Sequence, residues 1–441
     1  MDPLLAEEIA VEAYAYLYPL LLMDATRLRM TNVERAGNGL QTPVGTLLHI
    51  RSFPPGDFKG VVRPNFDTLY TSAFLELGAE PLMLSVPAAG DLYYLLPMYD
   101  MFGEVFASPG SRTTGNDAQT LAIVGPGWEG VLPEGVITIR SPHRMIWIIG
   151  RTQASAATYG EVHAFQDAMT LTPLSAWPGP GPEVVGVVDA DADLSTPPLR
   201  KVFALDASTF FREAADLLRR YPAHVGDQTI LMRMARIGMV PGQAFDLQSI
   251  DPEIRRAIER AVPRAQARIR AHQSTLGTER EGWRTSLESM GSYGQDYLRR
   301  ATVELAGLGA NLPDDSIYPA SVVDAEGRPY DGSNRYVLHF AAGALPPVRA
   351  FWSLTAYDDE GFTVSNVMGR YAISDRDELM LNADGSLDVW LQHDPVDDER
   401  SPNWLPVPEG RFNLLLRLYE PRPEALDGTW SAPGVFKLGR S

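Results

Sequence analysis

Residues 63–77 read RPNFDTLYTSAFLEL, and the period of this stretch decides the fold class. From Asp67 onward, Leu69, Thr71, Ala73 and Leu75 share one face of an extended chain, and Thr68, Tyr70, Ser72 and Phe74 share the other. Aromatic and β-branched residues bounded by Asp and Gly mark a strand. Just ahead of it a cation, an amide, a carboxylate and a phenol fall within eight residues. If the strand begins at Asp67, that carboxylate and Tyr70 point to opposite faces. If residues 65–68 are still loop, Asn65, Asp67 and Tyr70 converge at the rim of the sheet. The alternative is an Asx turn with a purely structural role.

Working outward, the same short-strand pattern recurs in PLMLSVPAA, DLYYLLPMYD, TLAIVGPGW, GVITIRS and MIWIIGRTQ, each bounded by Gly, Pro, Asp or Asn. Strands at this spacing indicate an antiparallel sandwich over residues 60–155. Over 156–314 the period turns helical around a Pro/Gly-rich linker, PLSAWPGPGPEVV. Asp206 or Ser208 is expected to cap one helix, and Asp251-Pro252 to open another. Strands return over 315–441, with LNADGSLDVWL read as an Asp-Gly hairpin and a sandwich or jelly roll as the expected type. Residues 1–59 are read as a helix and loop. The expected class is mainly β with a helical region in the middle.

The chain has 441 residues, enough for two or three domains. A formal charge of −18 disfavours nucleic acid, whose phosphates select clustered Lys and Arg. With no cysteine, disulfides, thiolate catalysis and Cys-ligated metals are excluded. The apolar N-terminal stretch lacks a basic leader, carries Glu7, Glu8 and Glu12, and holds Pro19 mid-run. It is therefore expected to be an amphipathic helix with one docked side, not a targeting or membrane segment. A cytoplasmic protein without membrane contact is the resulting expectation.

The stretches PNFDTLYTSAFLEL, SVPAAGDLYYLLPMYDMFGEVFASPGSRTTG and GRTQ resemble the family of domains of unknown function 1254. GSNRYVLHFAAGALPPVRAFWSLTAYD, GRYAISDRDEL, NWLPVP and RLYEPRPEALDGTW resemble the family numbered 1214. Gly369 stands where that pattern carries Asn before Arg370. The resemblance implies an N-terminal immunoglobulin-like β-sandwich, a helical middle segment and a C-terminal jelly-roll-like β-sandwich, and is compatible with a homo-oligomer. It implies no activity.

Candidate chemistry therefore rests on residues. Asp100 ends a long apolar run and needs a cation, N–H donors or a metal, because an unpaired buried carboxylate is costly; Arg112 is the nearest cation in sequence. Asp67 is the candidate base or ligand anchor, Tyr70 the proton donor or oxyanion stabiliser, and Asp100 with Arg112 the orienting pair. Asn65, Trp352, Tyr357 and Arg370 complete the expected substrate site. On the 348–361 run, Phe351, Ser353, Thr355 and Tyr357 share a face opposite Trp352, Leu354 and Ala356. The seven histidines show no single-element metal spacing. His339 and His393 are the pair that two strands would have to bring together, and no metal or other cofactor is expected. No phosphate-binding loop or nucleophile elbow is present. Two functions stand: a small-molecule hydrolase or lyase with a pocket between the β domains and the helical region, which is preferred, and a non-catalytic oligomeric binder of a carbohydrate, lipid or aromatic compound.

Overall fold

The computed structural model describes residues 1–37 and 39–440. The opening stretch forms the strand Thr68–Glu76, which pairs antiparallel with Met145–Gln153 from Thr68↔Gln153 to Glu76↔Met145. Short strands at Leu48–His49, Tyr94–Leu95, Met98–Tyr99 and Val105–Ala107 complete this first sheet. A second sheet runs in the order Thr170–Pro173, Leu82–Val86, Gln119–Val124, Ile137–Arg140, its last pair parallel. Ala73, Leu75, Ile146 and Ile148 of the first sheet meet Leu84, Val86, Leu121 and Ile123 of the second in one core. Phe74, Trp147 and Ile149, on the first sheet's other face, pack with helical residues. Both faces are thus covered, which is why these two strands read as nearly continuous apolar runs.

The N-terminal helix Pro3–Thr31 departs from its expected amphipathic character: every residue from Ala13 to Met23 is buried. The helices Pro252–His272, Tyr297–Ala306, Pro198–Phe203, Ala207–Arg220 and Gln228–Ala235 all touch it. A helix enclosed in this way needs no polar face along its middle. Asp206 caps Ala207–Arg220 through the Thr209 N–H, and Asp251 caps Pro252–His272. Three strands occupy the span read as helical. Thr170–Pro173 edges the second sheet, and Thr278–Arg280 and Trp283–Thr285 join the third. No described helix is long and apolar enough to cross a membrane.

In the C-terminal half, Val348–Asp358 and Phe412–Pro421 pair at the heart of the third sheet. The fourth sheet is built on Asn334–Phe340 between Leu387–Gln392 and Val435–Arg440. Trp352, Leu354, Leu414 and Leu416 face Leu338, Phe340, Val389 and Leu391 in a separate core. The Asp384-Gly385 turn forms, but no strand precedes it; Leu387–Gln392 pairs instead with Asn334–Phe340 and Trp404–Pro406. With 26% helix against 24% strand, the fold is mixed α/β in two sheet-bearing halves around a helical region, not mainly β.

Candidate functional site

Alternation in Val348–Asp358 sends Trp352, Leu354 and Ala356 into the C-terminal core, so Phe351, Ser353, Thr355 and Tyr357 emerge on the opposite face. On the partner strand the same face carries Arg417 and Tyr419. This face is covered by the N-terminal half. Tyr93 and Leu95 pack on Phe351 and Tyr419, and residues 63–67 lie across the rest. Arg63 holds a left-handed backbone (φ 51°) just before Pro64, a conformation that costs a branched-at-Cβ-free residue about 1 kcal/mol or more. It turns the Arg63 and Pro64 carbonyls toward the seam, where Arg417 donates to Arg63 at 3.2 Å and the Tyr357 hydroxyl donates to Pro64 at 2.8 Å. Arg417 also donates to Thr355 and to the Tyr357 oxygen, both at 2.7 Å.

The strand begins at Thr68, so Asp67 is free of the alternation. Its N–H donates to Asn65 Oδ1 at 2.6 Å, an Asx turn. Its fully buried carboxylate accepts from Arg376 Nη2 at 2.8 Å and from Ser353 Oγ at 2.6 Å. Both oxygens accept protein donors. Asn65 points elsewhere: its amide donates to Thr68 Oγ1 at 2.5 Å and reaches the Tyr70 and Tyr419 hydroxyls at 3.3 and 3.4 Å.

Opposite Tyr70 in the register stands Arg151, its guanidinium 5.2 Å from the Tyr70 ring centroid. Arg151 donates to the Tyr318 hydroxyl at 3.4 Å, and Tyr318 is held by Asn311 at 2.9 Å and Ser316 at 2.6 Å. Among the described residues no carboxylate pairs with Arg151, and its buried Nε finds no hydrogen-bond partner. Burial works against its charge, yet the surrounding phenols Tyr70, Tyr318, Tyr419 and Tyr99 keep its pKa well above the ordinary arginine value. Burial likewise pushes the Tyr419 hydroxyl far above its usual range, so it stays protonated. The group is a cation ringed by hydroxyls and an amide, a setting for an anionic or carbonyl-bearing small molecule.

Asp100 lies near the other end of Met145–Gln153. Tyr99 pairs with Trp147 whereas the Asp67 carbonyl accepts from Ala154, a separation of about 20 Å along the strand. The two carboxylates therefore do not form a pair. Nor does Asp100 pair with Arg112, which donates to Asp315 at 2.7 Å and braces the entry to the C-terminal half. Asp100 Oδ2 instead meets His224 Nε2 at 2.5 Å, while its Oδ1 accepts the Phe102 and Glu104 N–H groups at 2.8 and 3.1 Å. Burial alone would raise the Asp100 carboxyl, but the His224 hydrogen bond and the nearby His143, His224 and Arg300 hold it below its ordinary value. Burial opposes charge on His224 as well. Its bonds to Asp100 and Asp227 outweigh that and lift its pKa to about 10.

The remaining expected site residues are engaged within the C-terminal half. Trp352 is buried in the C-terminal core, and Arg370 Nη1 donates to the carbonyls of Ser401, Pro402 and Trp404 at 2.9–3.1 Å. His339 pairs with Asp388 on the exposed sheet face, and His393 Nδ1 lies 3.1 Å from the Val407 carbonyl oxygen, so they do not converge. Sequence reasoning missed Arg151, Tyr318, Arg376, His143 and His224. Of these, only Arg151 carried a usable signal, as the cation in the GRTQ stretch on a strand able to pair with the Tyr70 strand.

Two family models match the chain: Protein of unknown function (DUF1254) over residues 44–173 and Protein of unknown function (DUF1214) over residues 315–423. Among solved structures, it is similar to the VPA0106 protein from Vibrio parahaemolyticus at 22% identity, covering 98% of this chain and 100% of that one with a TM-score of 0.73. That likeness shows a shared fold. A protein from Burkholderia cenocepacia aligns at 11% identity over 98% of this chain and 93% of its own, with a TM-score of 0.43. None of the curated proteins matches.

Proposed function

We propose, from the premise that this chain belongs to the two-domain family pairing DUF1254 with DUF1214, that it is a small-molecule enzyme of the hydrolase or lyase type. Its site lies at the seam of the two halves, around Arg151. The observation that carries the reading is this guanidinium, with no carboxylate partner among the described residues and an unpartnered Nε. An unneutralised, half-buried cation favours an anionic ligand group in the same place.

Arg151 would anchor a carboxylate or an oxyanion. Asn65, as a donor to the Tyr70 oxygen, leaves the Tyr70 hydroxyl proton for the substrate, so Tyr70 acts as proton donor or oxyanion stabiliser. Asp67, Ser353 and Arg376 are positioning residues that hold the Asn65 turn against the sheet. The immunoglobulin-like and jelly-roll assignments of the two β halves belong to the same proposal. A second reading, a binder without chemistry, draws on the engagement of both Asp67 oxygens, which leaves no carboxylate base beside Tyr70.

The test is turnover of a panel of carboxylate-bearing esters, lactones and amides by the wild type, Tyr70→Phe and Arg151→Gln. Loss of a catalytic proton donor is expected to lower kcat about 100-fold or more, and Arg151→Gln to raise KM. Equal turnover in all three proteins would sink the assignment. Ligand binding without turnover, unchanged in Tyr70→Phe, would favour the binder.

A further inference from the structure

We propose that Asp100, His143 and His224 form a binding site for one divalent first-row transition cation, apart from the seam. One ligand-capable atom from each residue lies within 4.8 Å of the others. The inward atoms are Asp100 Oδ2, His224 Nε2 at 2.5 Å from it and His143 Nδ1 at 3.8 Å.

The outward atoms make the case. His143 Nε2 lies 2.7 Å from the Pro222 carbonyl oxygen. A carbonyl only accepts, so Nε2 carries the proton and the neutral ring presents its Nδ1 lone pair to the cluster. His224 Nδ1 lies 3.3 Å from Asp227 Oδ2, and Asp227 is held by the Tyr16 and Tyr297 hydroxyls at 3.0 and 2.9 Å. Asp100 Oδ1 is fixed by two backbone N–H groups. Each candidate ligand thus has its far atom anchored and its near atom turned inward, the arrangement by which outer partners set the tautomer and orientation of metal ligands. The Met101 N–H also reaches His143 Nδ1, at 3.3 Å; a cation would displace this long contact and the proton that His224 Nε2 shares with Asp100 Oδ2.

Two imidazoles and one carboxylate, in a chain without cysteine, suit Zn²⁺, Fe²⁺, Co²⁺ or Ni²⁺ over Ca²⁺ or Mg²⁺, which take oxygen ligands. Three protein ligands leave coordination positions open. Asp100 and His143 are sealed at 1% exposure, but the His224 side chain is 25% exposed and gives the cation its route in. The Phe102 ring, 5.6 Å from His143 and 5.2 Å from His224, walls one side. The expectation that no metal binds is replaced by this proposal.

The test uses the full chain, stripped with a chelator and titrated with Co²⁺ while its visible d–d absorption is followed, then with Zn²⁺ in competition. One equivalent of Co²⁺ is expected to saturate the signal, with Zn²⁺ displacing it and raising the Tm. His224→Ala, at the accessible mouth, should lower affinity about 100-fold or more, and Asp227→Asn about 10-fold, through loss of the outer anchor. Circular dichroism checks that both variants remain folded. If His224→Ala fails to fold, the Asp227→Asn affinity decides. A wild type without a saturable signal, or binding that neither variant changes, overturns the site.

Discussion

Asp67 owes its place to two partners far away in sequence, Ser353 and Arg376, and it is wholly buried. Asp67→Ala would leave the Arg376 charge facing an apolar gap beside the Phe351 ring, and breaking a buried pair from one side costs about 3–5 kcal/mol. Urea unfolding should register that loss, and Arg376→Met added to it should recover part. A cost below about 1 kcal/mol would show that the pair carries no stability. What the sequence disclosed here was conditional: Asp67 is released from the alternation only if the strand starts after it. It starts at Thr68. The partners themselves were illegible, because nothing in a local pattern specifies a contact some 300 residues away. His49 supplies a pH test at the same scale. It is half-buried beside Thr71, and burial first, then Arg51, depress its pKa to about 4. The unfolded chain, near 6.5, binds this proton more readily, so the contribution is fully present above pH 6.5 and is lost as pH falls through 4. His49→Gln removes the titration. Its unfolding free energy should therefore fall less steeply than that of the wild type between pH 7 and pH 4, and parallel curves would contradict the assignment.

At the scale of elements, local rules worked where both the pattern and its consequence were local. Asp206 and Asp251 cap the helices they were expected to cap, because a carboxylate ahead of exposed N–H donors is satisfied within one turn. The two faces of Val348–Asp358 separated as alternation required. What each face meets did not follow from alternation. Tyr357 was expected to line the substrate site, yet it and Thr355 bond Arg417 against the Arg63–Pro64 turn. The N-terminal helix shows the opposite failure. Its charges at Glu7, Glu8 and Glu12 suggested a wet side, but they cluster in its first turns, and the segment from Ala13 onward is enclosed by helices from residues 198–306. The histidine partners of Asp100 escaped detection for a related reason. His143 precedes a strand and His224 precedes a helix, so no single-element spacing could register them.

At the scale of the whole molecule, the two halves have separate cores and are joined through a seam that is polar at its centre. Arg417 is one of its cross-links, 3% exposed, bonding Thr355 and Tyr357 on its own sheet and the Arg63 carbonyl of the other half. A link of this kind transmits stability: while it holds, neither half can unfold without stripping the partners of a buried cation, which favours one cooperative transition over two. Arg417→Met keeps a similar stem for packing and deletes every donor. The C-terminal core, built from Trp352, Leu354, Leu414 and Leu416 against Leu338 and Val389, is untouched by the change and should melt close to its original temperature. The N-terminal half loses the partner that seats its strained Arg63 turn and should melt earlier. Differential scanning calorimetry is expected to show one transition for the wild type and two for the variant, the lower one shifted down by several degrees. A single unshifted transition in Arg417→Met would mean that the Asp67 bonds to Ser353 and Arg376, with the apolar contacts of Tyr93 and Leu95 on Phe351 and Tyr419, hold the seam without it.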